Sequence, residues 1–435
     1  MRAPQQSRAL AVCADVGSTY TKVAVVDVDD GTLVATAGHP TTAGTDVMAG
    51  LGAAVTAATA GLGPVSPSWY VCSSAGGGLR LAVVGYERLV TAEAGHRVGL
   101  SAGARVVHVA AGPLSAAGVR ELRAARPDVV LLVGGTDGGD REVLEHNARR
   151  LARWRTPVVV AGNADARDEV AAVLSGATIV DNVLPRIGVL APGPARAAIR
   201  EVFLRHVIGG KFGRRFARLV RAATPDAVLA GVELLADHTG RGLLVVDVGG
   251  ATTDVYSALP PGAERGTDAA GTLARARTVE GDLGVRWSAP GVVAAAAVEK
   301  LPHDAALPDA ARRRAADPAM LSGDSATGED VALATLAATV AVRRHARGEA
   351  GGFGRRDLTD VSLVVGSGGV LRHAPAGDAQ RVLDAVRSDH GGGWPVPRAA
   401  TTVVDREYVL AAGGLLAADH PAAALALLRH HLCVG

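Results

Sequence analysis

Asp15-Val16-Gly17-Ser18-Thr19-Tyr20-Thr21-Lys22-Val23 returns 232 residues later as Asp247-Val248-Gly249-Gly250-Ala251-Thr252-Thr253-Asp254-Val255. Five of the nine positions are identical. Each copy follows a β-branched run and leads into another, which predicts a hairpin and not a strand-to-helix turn. The strings 128–134 and 360–366 (Asp-Val-Val-Leu-Leu-Val-Gly and Asp-Val-Ser-Leu-Val-Val-Gly) repeat at the same spacing of 232. A weaker pair, 188–191 with 414–417, is spaced by 226. Two matches at one spacing predict two homologous α/β halves.

The rest of the chain agrees with that class. Predicted strands at 9–15, 22–27, 129–133, 157–161, 177–181, 243–247 and 361–365 alternate with helical stretches such as 141–153 and 167–174, the pattern of α/β folds with buried sheets. Residues 191–237 read as a helical connector, and 259–271 and 391–397 as surface loops. The domain expectation is a first lobe at 1–190, a connector at 191–240 and a second lobe at 241–435. At 435 residues and 48% hydrophobic, the chain can bury large cores, so wholesale disorder is excluded. Lys and Arg total 45 against 43 Asp and Glu, which argues against a nucleic-acid binder. Cys13, Cys72 and Cys433 are too few for a disulfide framework or zinc cluster. No signal-like or membrane-spanning apolar run stands out, so the expectation is a cytoplasmic protein without a membrane partner.

The two hairpins carry the chemistry. Gly17, Gly249 and Gly250 allow backbone N–H groups to approach a phosphate closely. Ser18, Thr19, Thr252 and Thr253 offer hydroxyls. Asp15 and Asp247, each at a strand end, are the candidate Mg²⁺ carboxylates, since Mg²⁺ prefers carboxylate, water and phosphate oxygens. Lys22 either neutralises phosphate charge or caps its strand at the surface. A lone Asp-x-Gly is ordinarily a plain hairpin turn; the matched pair reverses that reading. Gly366-Ser367-Gly368-Gly369 follows a predicted strand, and its missing side chains would let a purine and ribose lie against backbone. The loop 134–139 could serve a partner or second ligand.

With these residues quoted, the chain resembles the actin/Hsp70/sugar-kinase ATPase superfamily. The resemblance implies two duplicated ribonuclease-H-like domains around a central nucleotide cleft, binding ATP and Mg²⁺. Residues 15–22 match its first phosphate motif, 247–254 its second and 364–370 its adenosine motif. The stretches 182–190 and 408–416 fall in the order of its two connecting helices. Within the superfamily the chain resembles the MutL family of glutamate mutase accessory proteins, unrelated to the mismatch-repair protein of that name. The strings 72–80 (Cys-Ser-Ser-Ala-Gly-Gly-Gly-Leu-Arg), 134–139, 181–185 (Asp-Asn-Val-Leu-Pro) and 277–286 (Arg-Thr-Val-Glu-Gly-Asp-Leu-Gly-Val-Arg) carry that likeness. It implies a chaperone-like factor that protects or reactivates an adenosylcobalamin-dependent mutase, with weak Mg²⁺-dependent ATPase activity. Chaperone ATPases of the superfamily carry a Glu in the first connecting segment. The corresponding stretch here offers Asn182 and Val183 with Asp181 just before, so Asp181, Asp254 or Asp15 is left to assist hydrolysis, and the candidate catalytic acids are Asp15, Asp247 and Asp181.

Other features are weaker. Glu280 and Asp282 read equally as an acidic pair near the metal or mutase and as a polar turn. Cys72 reads as a buried thiol, His238 lacks the surroundings of a cobalt ligand, and Arg343-Arg344-His345 reads as a solvated face. The competing functions are a small-metabolite kinase, which needs an Asp base not evident here, and a polymer-forming scaffold.

Overall fold

The computed structural model describes residues 9–62, 67–75, 79–102, 104–260, 274–318, 328–348 and 355–432. Residues 1–8, Gly76 to Gly78 of the 72–80 string, most of the 259–271 loop and Cys433 lie outside the described residues. Four strands come first: β1 (Leu10–Val16), β2 (Tyr20–Asp27), β3 (Leu33–Pro40) and β4 (Ser68–Ser73). Five more follow: β5 (Arg80–Gly85), β6 (Arg105–Ala111), β7 (Val129–Leu132), β8 (Val158–Val160) and β9 (Thr178–Ile179). After a helical stretch come β10 (Val220–Ala223), β11 (Gly242–Val248), β12 (Thr253–Ala258), β13 (Arg275–Glu280), β14 (Val361–Ser367) and β15 (Thr401–Val404).

These strands form three five-stranded sheets. One runs β3-β2-β1-β4-β10 and another β13-β12-β11-β14-β15. In both, the first three strands are antiparallel and the last two run parallel to the central one. The central strands β1 and β11 are apolar and almost wholly buried, as strands covered on both faces must be. Two sheets of one order and one set of directions are duplicated ribonuclease-H-like folds. The third sheet, β6-β5-β7-β8-β9, is parallel throughout and has the doubly wound order 2-1-3-4-5. Its core of Val84, Leu132, Leu144 and Val160 is separate from that of the second duplicated sheet.

The chain divides into two compact units: Met1–Gly78 with Leu204–Thr239 and Glu407–Gly435, and Leu79–Phe203 with Gly240–Arg406. This division corrects the expected boundary at 190. The first duplicated sheet is completed only by β10, which lies inside the stretch expected to be a helical connector and pairs with β4. Residues 79–203 form an inserted parallel α/β segment instead of the end of a first lobe.

Two of the three repeat matches dissolve. The strand β14 lies beside β11, so its counterpart is β4 beside β1; β7 belongs to the parallel sheet. The shared spacing of 128–134 and 360–366 reflects two buried parallel strands of similar composition. Residues 182–190 are not a helix but an irregular segment closed by the bridge Arg186–Val189. The helix that packs on Val409–Leu416 is Thr224–Thr239. Their backbones touch at glycines: a Cβ on Gly231 would strike the Leu410 carbonyl, and one on Gly414 the Ala227 carbonyl. Among the described residues no helix is long and apolar enough to cross a membrane.

Candidate functional site

The two repeated hairpins have the same internal geometry. Asp15 lies opposite Lys22 in the ladder and Asp247 opposite Asp254. The Gly17 N–H donates to the Tyr20 carbonyl at 3.1 Å and the Gly249 N–H to the Thr252 carbonyl at 2.9 Å. A Cβ at either glycine would lie 2.7 or 2.9 Å from that same oxygen, so both positions exclude any side chain.

In the first hairpin Ser18 and Thr19 are exposed, and among the described residues their backbone N–H groups donate to no protein acceptor. Asp15 is buried at the end of β1. Its Oδ1 accepts from Thr224 Oγ1 at 2.5 Å and lies 3.7 Å from Cys72 Sγ, while Lys22 Nζ stands 3.5 Å from Oδ2. Lys22 also sits 3.9 Å from the Tyr408 ring centroid. A cation placed over a ring and against a carboxylate is positioned, which removes the reading of Lys22 as a plain strand cap. Burial, followed by the Asp15 charge, pushes the Cys72 thiol well above its ordinary range, so it is an inert thiol as expected and not a nucleophile.

In the second hairpin the segment Leu283 to Ser288 clasps the tip from behind. Val285 N–H donates to the Gly249 carbonyl at 3.1 Å, and Arg286 and Trp287 N–H to the Gly250 carbonyl at 2.8 and 3.1 Å. Ser288 Oγ donates to the Ala251 carbonyl at 3.0 Å. The carbonyls of Gly249, Gly250 and Ala251 are thereby occupied, while the N–H groups of Gly250 and Ala251 donate to no acceptor among the described residues. A turn stripped of accessible acceptors and left with donors favours an anion. Gly284 permits the clasp, since a Cβ there would overlap Gly250 and Ala251.

The glycine turn after β14 joins this hairpin. Ser367 lies opposite Asp247 in the parallel ladder. Gly368 has φ 101°, and a Cβ on it would strike the Val248 carbonyl and come within 3.0 Å of Asp247 Oδ1. Gly369 opens onto free space. The structure therefore brings Gly366, Ser367 and Gly368 beside Val246, Asp247 and Val248.

Several candidates are not brought there. Thr253 is fully buried and its hydroxyl donates to the Leu283 carbonyl at 2.6 Å, so it holds the clasp and is unavailable to phosphate. Thr252 instead bonds Asp254 at 3.1 Å, and Asp254 is bound by Arg277, whose Nε is 2.9 Å away. Asp181 follows the edge strand β9 and pairs at the surface with Arg167 at 3.0 Å, which withdraws it as a candidate acid. The 134–139 loop is locked by its own neighbours: Asn182 Nδ2 donates to the Gly135 carbonyl and Asp137, and Asn163 Nδ2 to the Gly139 carbonyl. Glu280 and Asp282 are both clamped by Arg344 of the helix Gly328–Arg347, at 2.8 Å each. Burial would raise the Asp282 carboxyl, but the Arg344 bonds outweigh it and hold it below the usual range. The Arg343-Arg344-His345 face is thus internal: Arg343 is ion-paired with Asp389 and His345 is wholly buried. Sequence reasoning missed Thr224 and the clasp. Thr224-Pro225-Asp226, with Pro in a first helical turn, was a readable helix start.

Duplicated ribonuclease-H-like sheets with matched acidic glycine hairpins define a protein of the actin/Hsp70/sugar-kinase fold class. The family model described as "MutL protein" matches residues 11–432. The chain accordingly belongs to the MutL protein family. "Protein MutL" of Clostridium tetanomorphum is 34% identical over 457 residues, covering 96% of this chain and 98% of that one. Among solved structures, nucleotide-free acetone carboxylase is 16% identical with a TM-score of 0.39, covering 95% of this chain and 71% of that one. Component A of the Acidaminococcus fermentans (R)-2-hydroxyglutaryl-CoA dehydratase is 9% identical with a TM-score of 0.32, covering 96% and 99%. Structural likeness this distant carries no weight for function.

Proposed function

We propose that this chain binds ATP with Mg²⁺ and uses it as an accessory factor for an adenosylcobalamin-dependent mutase. The observation that carries the nucleotide part is the second hairpin tip, whose carbonyls are occupied from behind while its N–H groups remain available. Gly17, Ser18 and Thr19 in the first hairpin and Gly249 and Gly250 in the second are assigned to phosphate oxygens. Gly366, Ser367, Gly368 and Gly369 are assigned to the nucleoside, and Asp15 and Asp247 to the metal. The donor set fits: carboxylates suit Mg²⁺, and outward amides suit phosphate. When bound, Mg²⁺ supplies charge neutralisation at the phosphates. The mutase part rests on membership of the MutL family and on the resemblance that the 72–80 and 277–286 strings carry.

Thr224 begins the helix that packs on Val409–Leu416 and sets a hydroxyl, not a carboxylate, against Asp15. A hydroxyl donating to Asp15 orients that carboxylate but takes no proton from water at neutral pH. ATP is therefore held more readily than it is cleaved, and nucleotide occupancy is the working signal. A pull-down with a cobalamin mutase, run with ATP, ADP and no nucleotide, tests the reading. Retention that differs between nucleotide states is expected; equal retention in all three would end the accessory-factor proposal.

A further inference from the structure

The indole of Trp287 lies against the second hairpin. A Cβ built on Gly250 would come 2.9 Å from Trp287 Cζ3 and 3.3 Å from Cε3, so the ring turns its carbon edge toward the tip. The ring is 50% exposed, unusual for the largest apolar side chain when nothing in the fold requires it at the surface. The clasp itself is held by backbone groups and Ser288, and does not depend on the indole. The neighbouring Arg286 is not free to meet an anion. Its guanidinium makes two bonds to Asp330, at 2.6 and 3.1 Å, and Arg314 binds the same carboxylate.

We infer that Trp287 is a specificity-determining wall of the second hairpin, restricting it to an unsubstituted terminal phosphoryl group. The inference rests on the reading of that hairpin as a phosphate site. A phosphoryl oxygen at the Gly250 and Ala251 N–H groups lies beside the ring edge, which is the positive part of the indole quadrupole and favours an anion. An ester group on the same phosphate meets the ring. Glycine at 250 follows from the same contact, since any side chain there displaces the indole.

The test uses the full chain, Mg·ATP and a γ-phosphate methyl ester of ATP, with binding read by calorimetry. Indole fluorescence is taken as the difference between the wild type and Trp287→Phe. The wild type is expected to prefer ATP at least tenfold. Trp287→Ala narrows that preference at least threefold, Trp287→Phe keeps it, and the difference fluorescence changes on adding Mg·ATP. An unchanged preference in Trp287→Ala, or no preference in the wild type, overturns the wall while leaving nucleotide binding intact. Absence of Mg·ATP binding to the wild type overturns the hairpin reading itself. Gly250→Ala serves as the second variant: a shifted indole emission with a weakened preference is expected, and an unmoved emission contradicts the contact.

Discussion

Asp15 shows how a single carboxylate is prepared. It stands at the end of a buried strand, and Thr224 and Lys22 address its two oxygens separately. His345 shows the opposite strategy. It is enclosed, bonded to Thr278 Oγ1 at 2.8 Å and Ser257 Oγ at 2.9 Å. Burial, aided by the Arg356 charge, holds its pKa well below 6.5. The folded chain keeps it neutral while the unfolded chain protonates it below about 6.5, so stability is complete above that pH and falls as the pH drops beneath it. The loss is about 1.4 kcal/mol per pH unit until the folded-state pKa is reached. Urea midpoints at pH 7.5 and 5.5 should therefore move closer together in His345→Gln than in the wild type. Parallel shifts in the two proteins would show that other groups govern the acid limb. Asp15 and Asp247 stand out in the sequence because each is a strand-end acid two residues before a glycine. Thr224 was not, because nothing near it in sequence marks a hydroxyl aimed at Asp15.

At the level of elements, the hairpins are local and the clasp is not. β12 and β13 pair in register from Thr253 opposite Glu280 to Ala258 opposite Arg275, which delivers Gly281 to Ser288 to the back of the hairpin tip. Gly284→Ala should cost about 1–3 kcal/mol, because its Cβ overlaps backbone that has no room to shift. Gly52→Ala, in the helix Val47–Thr59 with no atom near its Cβ position, should instead stabilise by up to about 1 kcal/mol. Chemical denaturation of both variants checks the pair, and equal effects would remove the clasp argument. The helix pair at Gly231 and Gly414 also had a readable signal. Val228-Leu229-Ala230 with Leu234-Leu235-Ala236-Asp237-His238 parallels Val409-Leu410-Ala411 with Leu415-Leu416-Ala417-Ala418-Asp419-His420. The apolar matches share one spacing of 181, unlike the 232 that relates the hairpins, and only the closing Asp-His pair is displaced by one residue.

For the whole molecule, Asp15 belongs to one compact unit and Asp247 to the other. A ligand that binds only the folded chain stabilises it by about 2.7 kcal/mol at a hundredfold excess over its Kd. Mg·ATP should raise the unfolding temperature of the wild type. Asp15→Ala and Asp247→Ala should each abolish that rise while the unliganded proteins still melt cooperatively. A rise that survives in one variant would assign the nucleotide to a single unit; a rise in both would remove both carboxylates from the metal proposal. The inserted parallel sheet has the strand order of many nucleotide folds, yet the helix Thr91–Ser101 that follows β5 is already capped: Glu87 Oε1 accepts from the Thr91 N–H at 2.8 Å.

What the sequence alone determined was the pair of hairpins. Their turn geometry is written within nine contiguous residues, where glycine and aspartate act through sterics on the adjacent backbone. The α/β class followed from the alternation of apolar runs for the same local reason. Only the tertiary structure decided that β4 and not β7 partners the first hairpin, that β10 completes its sheet, and that Thr253 serves the clasp. These facts depend on which distant segments meet. Thr224 reaches Asp15 across 209 residues of chain, and no periodicity or spacing encodes a contact made by the packing of a whole sheet.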